Sequence, residues 1–447
     1  MPHLKSLDLM TAVVPRHRIV NRIGRIRTLS ANLVSVTGLS DVASVGHCVA
    51  FTSSEVRGEV VSVDQDQINV LPDGSLGDLK IGQPVQHLGE FSLYPDDSWI
   101  GRVIDGDGQP LDGQPLINGA TKVSLTASPP PAASRRHLGE RLDTGYALFN
   151  TILPIVRGQR MGLFSGSGVG KSSLMSAFAA DMNADVVVIG LVGERGREVN
   201  QFVHRVLGKK GLARSVVVAS TSDKSALTRR RAAFSAMAIA EHFRDEGRNV
   251  LLMIDSVTRL AEAHREVATT AGEPSTMRGF PPSMVNLLAG FAERAGPGTE
   301  GQGDITAVFT VLVSGSDMDE PVADTLRGLL DGHVVLSRDI AERGRFPAVD
   351  ILKSVSRSLP EAATDAENHL ISVARQNLSL YEDTEIMIRS GLYQPGSNAE
   401  VDASVGVFPK LDAFAAARSE GGVTGDFQSL EACLAVGSGS VAQNNGA

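Results

Sequence analysis

The chain has 447 residues, 42% hydrophobic and 21% charged, with a formal net charge of −9 at pH 7. These proportions fit a soluble globular protein of roughly two to four domains, and the acidic balance excludes nucleic acid as the main partner. The two cysteines, Cys48 and Cys433, exclude a disulfide framework and fit a reducing compartment. No stretch approaches the roughly 18 apolar residues of a membrane span, and the start lacks the apolar core of a signal peptide, so a cytoplasmic protein is expected.

Residues 1–17 carry no pattern. From 18 to 90, β-branched runs (ANLVSV, HCVAF, GEVVSV, QINVL) alternate with turn signals such as Pro72-Asp73-Gly74, which predicts a small barrel or sandwich. The prolines Pro129–Pro131 predict an extended surface loop on the next domain. From 91 to 362, strands expected at 160–164, 186–192, 215–219, 250–254 and 305–313 alternate with helices at 172–181, 199–207 and 226–244. That alternation marks a parallel sheet covered on both faces. The run Arg229-Arg230-Arg231 reads as a solvated helix face. Residues 363–435 turn helical, from Asp365 to Leu380 and again near Ala413, and 436–447 are low-complexity, with a disordered tail expected.

The chemistry centres on Met161–Ser173, MGLFSGSGVGKSS. An apolar strand runs into Ser165, Gly166, Ser167, Gly168, Val169 and Gly170, then Lys171, Ser172 and Ser173 open a helix. Glycines let successive N–H groups point at one phosphate, and the helix N-terminus adds its positive dipole end. Lys171 supplies a point charge and Ser172 a hydroxyl for Mg²⁺. The phosphate-loop pattern asks for glycine where this chain has Ser165. A glycine-rich turn with a surface lysine would need neither the strand before it nor the helix after it.

Asp255 closes the apolar run Leu251–Ile254, where a carboxylate sits beside the phosphate loop in an open α/β sheet and can hold Mg²⁺. Glu194 follows the strand 186–192 and is the general-base candidate for a water in line with the terminal phosphate. For Phe346 and Arg357, spacing alone assigns no role.

Taken together, SGSGVGKS, GERGRE, LLMIDSVTR and FPAVDILKSVSRS resemble the ATPase family that includes the rotary ATP synthase α/β subunits, and within it the ATPases of type III protein export. The flanks WIGRVIDGDGQPLDG, GEPSTMRGFPPS and LDGHVVLSR agree. The resemblance implies an α/β fold: a central P-loop (RecA-like) parallel sheet, an N-terminal β-barrel and a small helical C-terminal domain. By position it implies ATP and Mg²⁺ bound through Lys171, Ser172 and Asp255. It makes Glu194 the catalytic glutamate, with Arg195 beside it approaching the terminal phosphate, and Arg259, after the strand that ends in Asp255, a further nucleotide-binding arginine. Phe346 would stack on adenine with Tyr393 on the other side, and Arg357 would be a finger entering the neighbouring subunit's site.

Because one chain carries both Glu194 and Arg357, a self-sufficient homohexamer is expected. The implied work is flagellar protein export. It would involve a stator-like regulator at the N-terminal segment, export chaperones and substrates, and peripheral contact with a membrane export gate. The alternatives are the virulence injectisome ATPases, a non-catalytic subunit of a rotary ATPase, which should lack Lys171 or Glu194, and an RNA-binding ring helicase, which the charge disfavours. Departures from the family pattern are Ser165, Asn150 in place of an aspartate, and the segment 284–296.

Overall fold

The computed structural model describes residues 21–30, 32–52, 54–313 and 318–435. The unpatterned start at 1–17 and the tail at 436–447 lie outside them. The N-terminal unit is a closed barrel of six strands, β1 (Ile23–Leu29), β2 (Val34–Thr37), β3 (His47–Phe51), β4 (Arg57–Val63), β5 (Gln67–Pro72) and β6 (Pro84–Glu90), in the order β1-β2-β5-β4-β3-β6. Alternate residues such as Val34, Val36, Val49, Phe51, Ile68 and Val70 point inward and fill it. Closure leaves no open sheet edge.

The central sheet runs β7 (Val103–Ile104), β8 (Arg160–Ser165), β9 (Val186–Glu194), β10 (Ser215–Thr221), β11 (Val250–Asp255), β12 (Asp304–Leu312), β13 (Gly332–Leu336) and β14 (Val349–Ser356) in the chain. In space the order is β14-β13-β8-β12-β11-β9-β10-β7. Along this order all neighbours are parallel except β13 and β14, and a ninth, two-residue strand at Gly296–Pro297 pairs antiparallel with β12. The five expected strands are all present. The sheet is larger than they imply, because β7, β13 and β14 join its edges.

Both faces are buried, so the inner strands are continuously apolar, as a doubly covered parallel sheet requires. Val186, Val188, Leu252 and Ile254 belong to one core, and Val187, Ile189, Leu251 and Met253 to the other. The first core lies under α3 (Ala226–Asp245), α4 (Val257–Thr270), α5 (Ser283–Arg294) and α6 (Pro321–Leu329). The alanine-rich α3 packs close: a Cβ at Gly190 would lie 3.1 Å from Ala236 Cβ. The second core lies under α1 (Lys171–Asp181). Ile371, Leu411 and Phe427 join it from the C-terminal helices α7 (Asp365–Arg389), α8 (Ala399–Ala416) and α9 (Gly422–Ala435).

Two expectations are corrected. The segment expected as one helix at 199–207 is instead α2 (Gly196–Gln201), which passes into a π-helical turn at Phe202–Leu207. The arginine run 229–231 is not a solvated face. It occupies the first turns of α3, where the barrel docks, and Arg231 is 4% exposed at its side chain, bonded to Asp107 and close to Glu59. Buried charges stay only where they find partners, and these partners come from distant parts of the chain.

Asn150 has a structural reason of its own. Its Oδ1 accepts from Thr144 N (2.9 Å) and Thr144 Oγ1 (2.8 Å), and its Nδ2 donates to Asp143 (2.9 Å) and to Asp426 of α9 (2.8 Å). The amide supplies two donors and two acceptor bonds, a set that a carboxylate cannot provide.

Candidate active site

The loop between β8 and α1 curls as its glycines permit. Gly168 and Gly170 have φ of +80° and +91°, in the left-handed region that favours glycine. A Cβ at Gly170 would also come within 3.1 Å of the Phe346 ring, so the ring lies against the end of the loop. Ser165 is the last residue of β8, paired with Leu312 and Leu336, and its carbonyl accepts from Val313 N at 3.1 Å. Its backbone is ordinary strand, which any side chain tolerates, so glycine is not needed there. The buried Ser165 Oγ finds no partner among the described residues.

A cleft of about 760 Å³ opens over the loop, lined among others by Lys171, Ser172, Glu194, Arg195, Asp255 and Arg259. That volume suits a nucleotide-sized ligand. Lys171 Nζ donates to Asp255 Oδ1, and Thr310 Oγ1 donates to the same oxygen at 2.7 Å. Asp255 is 4% exposed, so its carboxylate already holds a cation where water is excluded.

Glu194 ends β9 in register with Thr221. Burial, then the Asp255 carboxylate, push its carboxyl up to about 7, with Lys171 opposing them and Glu198 adding to the rise. A carboxylate tuned to neutrality can take a proton in this pH range, as a general base must. Arg195 projects from the cleft rim, its side chain 79% exposed, 3.6 Å from Glu198. Arg259 donates to Glu262 at 2.8 Å.

Five candidates do not line this cleft: Ser165 and Val169 are buried beneath the loop, and three others lie outside it. Phe346 touches the loop from the far side and is half exposed. Arg357 follows β14, exposed, with its Nη2 donating to Arg327 O at 3.1 Å. Tyr393 lies between α7 and α8, where its hydroxyl donates to Asp402 at 2.9 Å, and it does not line the cleft. The sequence reading did not include Thr310, Glu198, Glu266 or Arg229, which line or support the cleft. Two of them carry a signal: Glu198 closes the GERGRE motif, and Arg229 lies inside the run expected as a solvated face.

The fit to nucleotide and metal rests on this donor set. The glycine loop leaves open space at residue 168, where a Cβ would meet nothing within 4 Å, so a phosphate can approach the backbone. Ser172 and Asp255 offer the hard oxygen ligands that Mg²⁺ prefers. No cluster of three or more metal-ligating side chains occurs among the described residues, so phosphate and water must complete such a site.

The chain is similar to known proteins along most of its length. Residues 145–356 match the model of the ATP synthase alpha/beta family nucleotide-binding domain, and residues 363–420 match the T3SS EscN ATPase C-terminal domain. A flagellum-specific ATP synthase of Caulobacter vibrioides is 43% identical over 91% of this chain and 94% of its own. The chain belongs to the type III secretion branch of the ATP synthase α/β family. A second relative in that family, the SPI-2 type 3 secretion system ATPase of Salmonella typhimurium, is 41% identical over 88% of this chain and 90% of its own. The assembled ATPase EscN of enteropathogenic E. coli superposes with a TM-score of 0.85 at 35% identity, covering 92% of this chain and all of EscN. EscN is also solved in complex with its central stalk EscO. The barrel, central sheet and helical C-terminal part of this chain are therefore the fold of the family. No helix among the described residues is long and apolar enough to cross a membrane.

Proposed function

We propose that the chain is the ATP-hydrolysing motor of flagellar type III protein export, working as a homohexamer. The observation that carries this reading is the separation within one chain. Lys171, Asp255 and Glu194 converge on one cleft, while Arg357 lies exposed outside it. Such a chain completes its site only when a neighbour's Arg357 enters, which identical subunits arranged in a ring would supply to one another.

Hydrolysis then follows from the residues. The loop N–H groups and Lys171 bind the β- and γ-phosphates, while Ser172 and Asp255 would hold the metal. Mg²⁺, when bound, neutralises charge that develops on the phosphates. Glu194 accepts a proton from the attacking water and orients it in line with the γ-phosphate. Arg195 and Arg259 stand at the rim to meet phosphate charge, and the neighbour's Arg357 adds a further cation. An arginine finger of this kind is worth roughly 10³–10⁵ in rate. Phe346, against the loop, would stack on adenine. Tyr393 is assigned no contact with it.

The flagellum-specific relatives support the export role; the unloading of chaperone-bound substrates, a stator-like regulator at the N-terminal segment and peripheral contact with a membrane gate complete the proposal. A central stalk follows from EscN with EscO. The near-equal identity to the SPI-2 type 3 secretion system ATPase supports a second reading, in which the same motor serves an injectisome. Substitution Glu194→Gln tests the chemistry. Turnover should fall by about 10²–10⁴-fold with ATP affinity retained, and hydrolysis near the parental rate would overturn the assignment.

A further inference from the structure

The barrel meets the central domain at the first turn of α3 and beside the loop that leads into it. Val61 and Leu71 of the barrel pack with Ala226, Leu227 and Val267. Glu59 on β4 accepts from Arg230 and lies 4.0 Å from Arg231, which also donates to Asp107. One residue earlier, Arg229 turns the other way, into the cleft. Its Nη2 donates to both oxygens of Glu266 (2.9 and 2.8 Å), and its Nε donates to Lys224 O (3.2 Å).

The stem of Arg229 closes on the residue before Glu194. A Cβ at Gly193 would lie 3.5 Å from Arg229 Cδ and 3.3 Å from Arg259 Cβ, so the two arginines flank that backbone. The loop before α3 also holds Glu194 directly, since Ser222 N donates to the Glu194 carbonyl at 2.9 Å. Glu266 lines both the cleft and a second cavity of about 410 Å³ between barrel and α3. The Arg229–Glu266 pair is thus a partition between the two spaces. A junction that served only adhesion could place its ion pairs anywhere along α3. Here they sit on the turn that forms the cleft wall.

We infer that Glu59 of the barrel is a positioning residue for ATP hydrolysis: by holding Arg230 and Arg231 it fixes the turn of α3 whose loop and Arg229 set the backbone at Gly193–Glu194. The barrel is then a control element as well as a structural unit, because a shift in its seating reaches the cleft through a contiguous set of contacts. This rests on the assignment of Glu194 to hydrolysis.

The test uses the full-length chain carrying Glu59→Gln, which keeps the side chain's size and leaves Arg231 paired with Asp107. The expected result is a kcat for Mg-ATP lower by about 5- to 20-fold, with KM, nucleotide-binding stoichiometry and ring size within about two-fold of the parent. Arg230→Gln breaks the same contact from the other partner and should give the same split, with the double variant no worse than either single one. An unchanged kcat in either folded variant overturns the inference. So does a kcat loss matched by an equal loss of nucleotide-binding sites, which marks a merely structural contact. Parental hydrolysis by Glu194→Gln would instead overturn the proposed function, which keeps the two failures apart.

Discussion

Lys171 and Asp255 are bonded to each other across the phosphate loop, the ammonium on the same carboxylate oxygen that accepts from Thr310. In the proposed mechanism a metal–nucleotide complex would part them, with Lys171 turning to phosphate and Asp255 freed for the metal side. Asp255→Asn removes the negative charge but keeps the hydrogen-bonding shape. Affinity for Mg-ATP should therefore fall by about tenfold or more, a loss of at least one charge-assisted bond, while metal-free ATP binds nearly as before. Calorimetric titration with and without chelator reads both quantities.

Glu194 predicts the pH dependence of the enzyme and of its fold. With the carboxyl raised to about 7, hydrolysis should climb as pH rises through neutrality, when the group becomes able to take a proton. Stability runs the opposite way. The folded state holds the proton that the unfolded chain loses near the ordinary glutamate value, so this contribution is full below that value and is lost as pH rises through about 7. Glu194→Gln should melt at the parental temperature at pH 4.5 and above it at pH 8 in the nucleotide-free state. Thermal melts of the two proteins across that range check the sign.

The parts legible in the sequence were those whose chemistry is local. A strand, a glycine loop and a helix written consecutively could be placed as a phosphate cradle, and Asp255 was marked by the apolar run before it. Arg230 and Arg231 were misread because their partners are remote: Glu59 lies 171 positions from Arg230, and Asp107 lies 124 from Arg231. No window of sequence shows which face of a helix a separate barrel will cover. The helix α8 was glimpsed only near its end, since Pro409 interrupts its pattern from within. Strand β13 is only five residues long, and β14, antiparallel to it at the sheet's edge, mixes buried and exposed residues instead of the continuous apolar run of the inner strands.

Asn150 predicts an effect confined to stability. Asn150→Asp sets a carboxylate against Asp143 and the buried Asp426, where the amide now donates to both. The variant should lose about 1–3 kcal/mol near neutral pH, the cost of unsatisfied buried polar groups, and regain part of it in acid as a carboxyl protonates. KM for ATP should not move, because the residue joins the central domain to α9 and not to the cleft. Denaturant unfolding at pH 7.5 and pH 5, with steady-state kinetics, separates the two effects.

The central claim is that each site is shared between neighbours, with the phosphate loop from one chain and Arg357 from the next. Lys171→Ala and Arg357→Ala chains should each hydrolyse ATP at a small fraction of the parental rate. The direct measurement is steady-state hydrolysis by the two variants mixed across a range of ratios. In mixed rings some sites unite an intact Lys171 with an intact neighbouring Arg357, so activity should reappear and peak at intermediate ratios. Mixed rings, verified by mass, that show no more activity than the separate variants at any ratio would contradict the account.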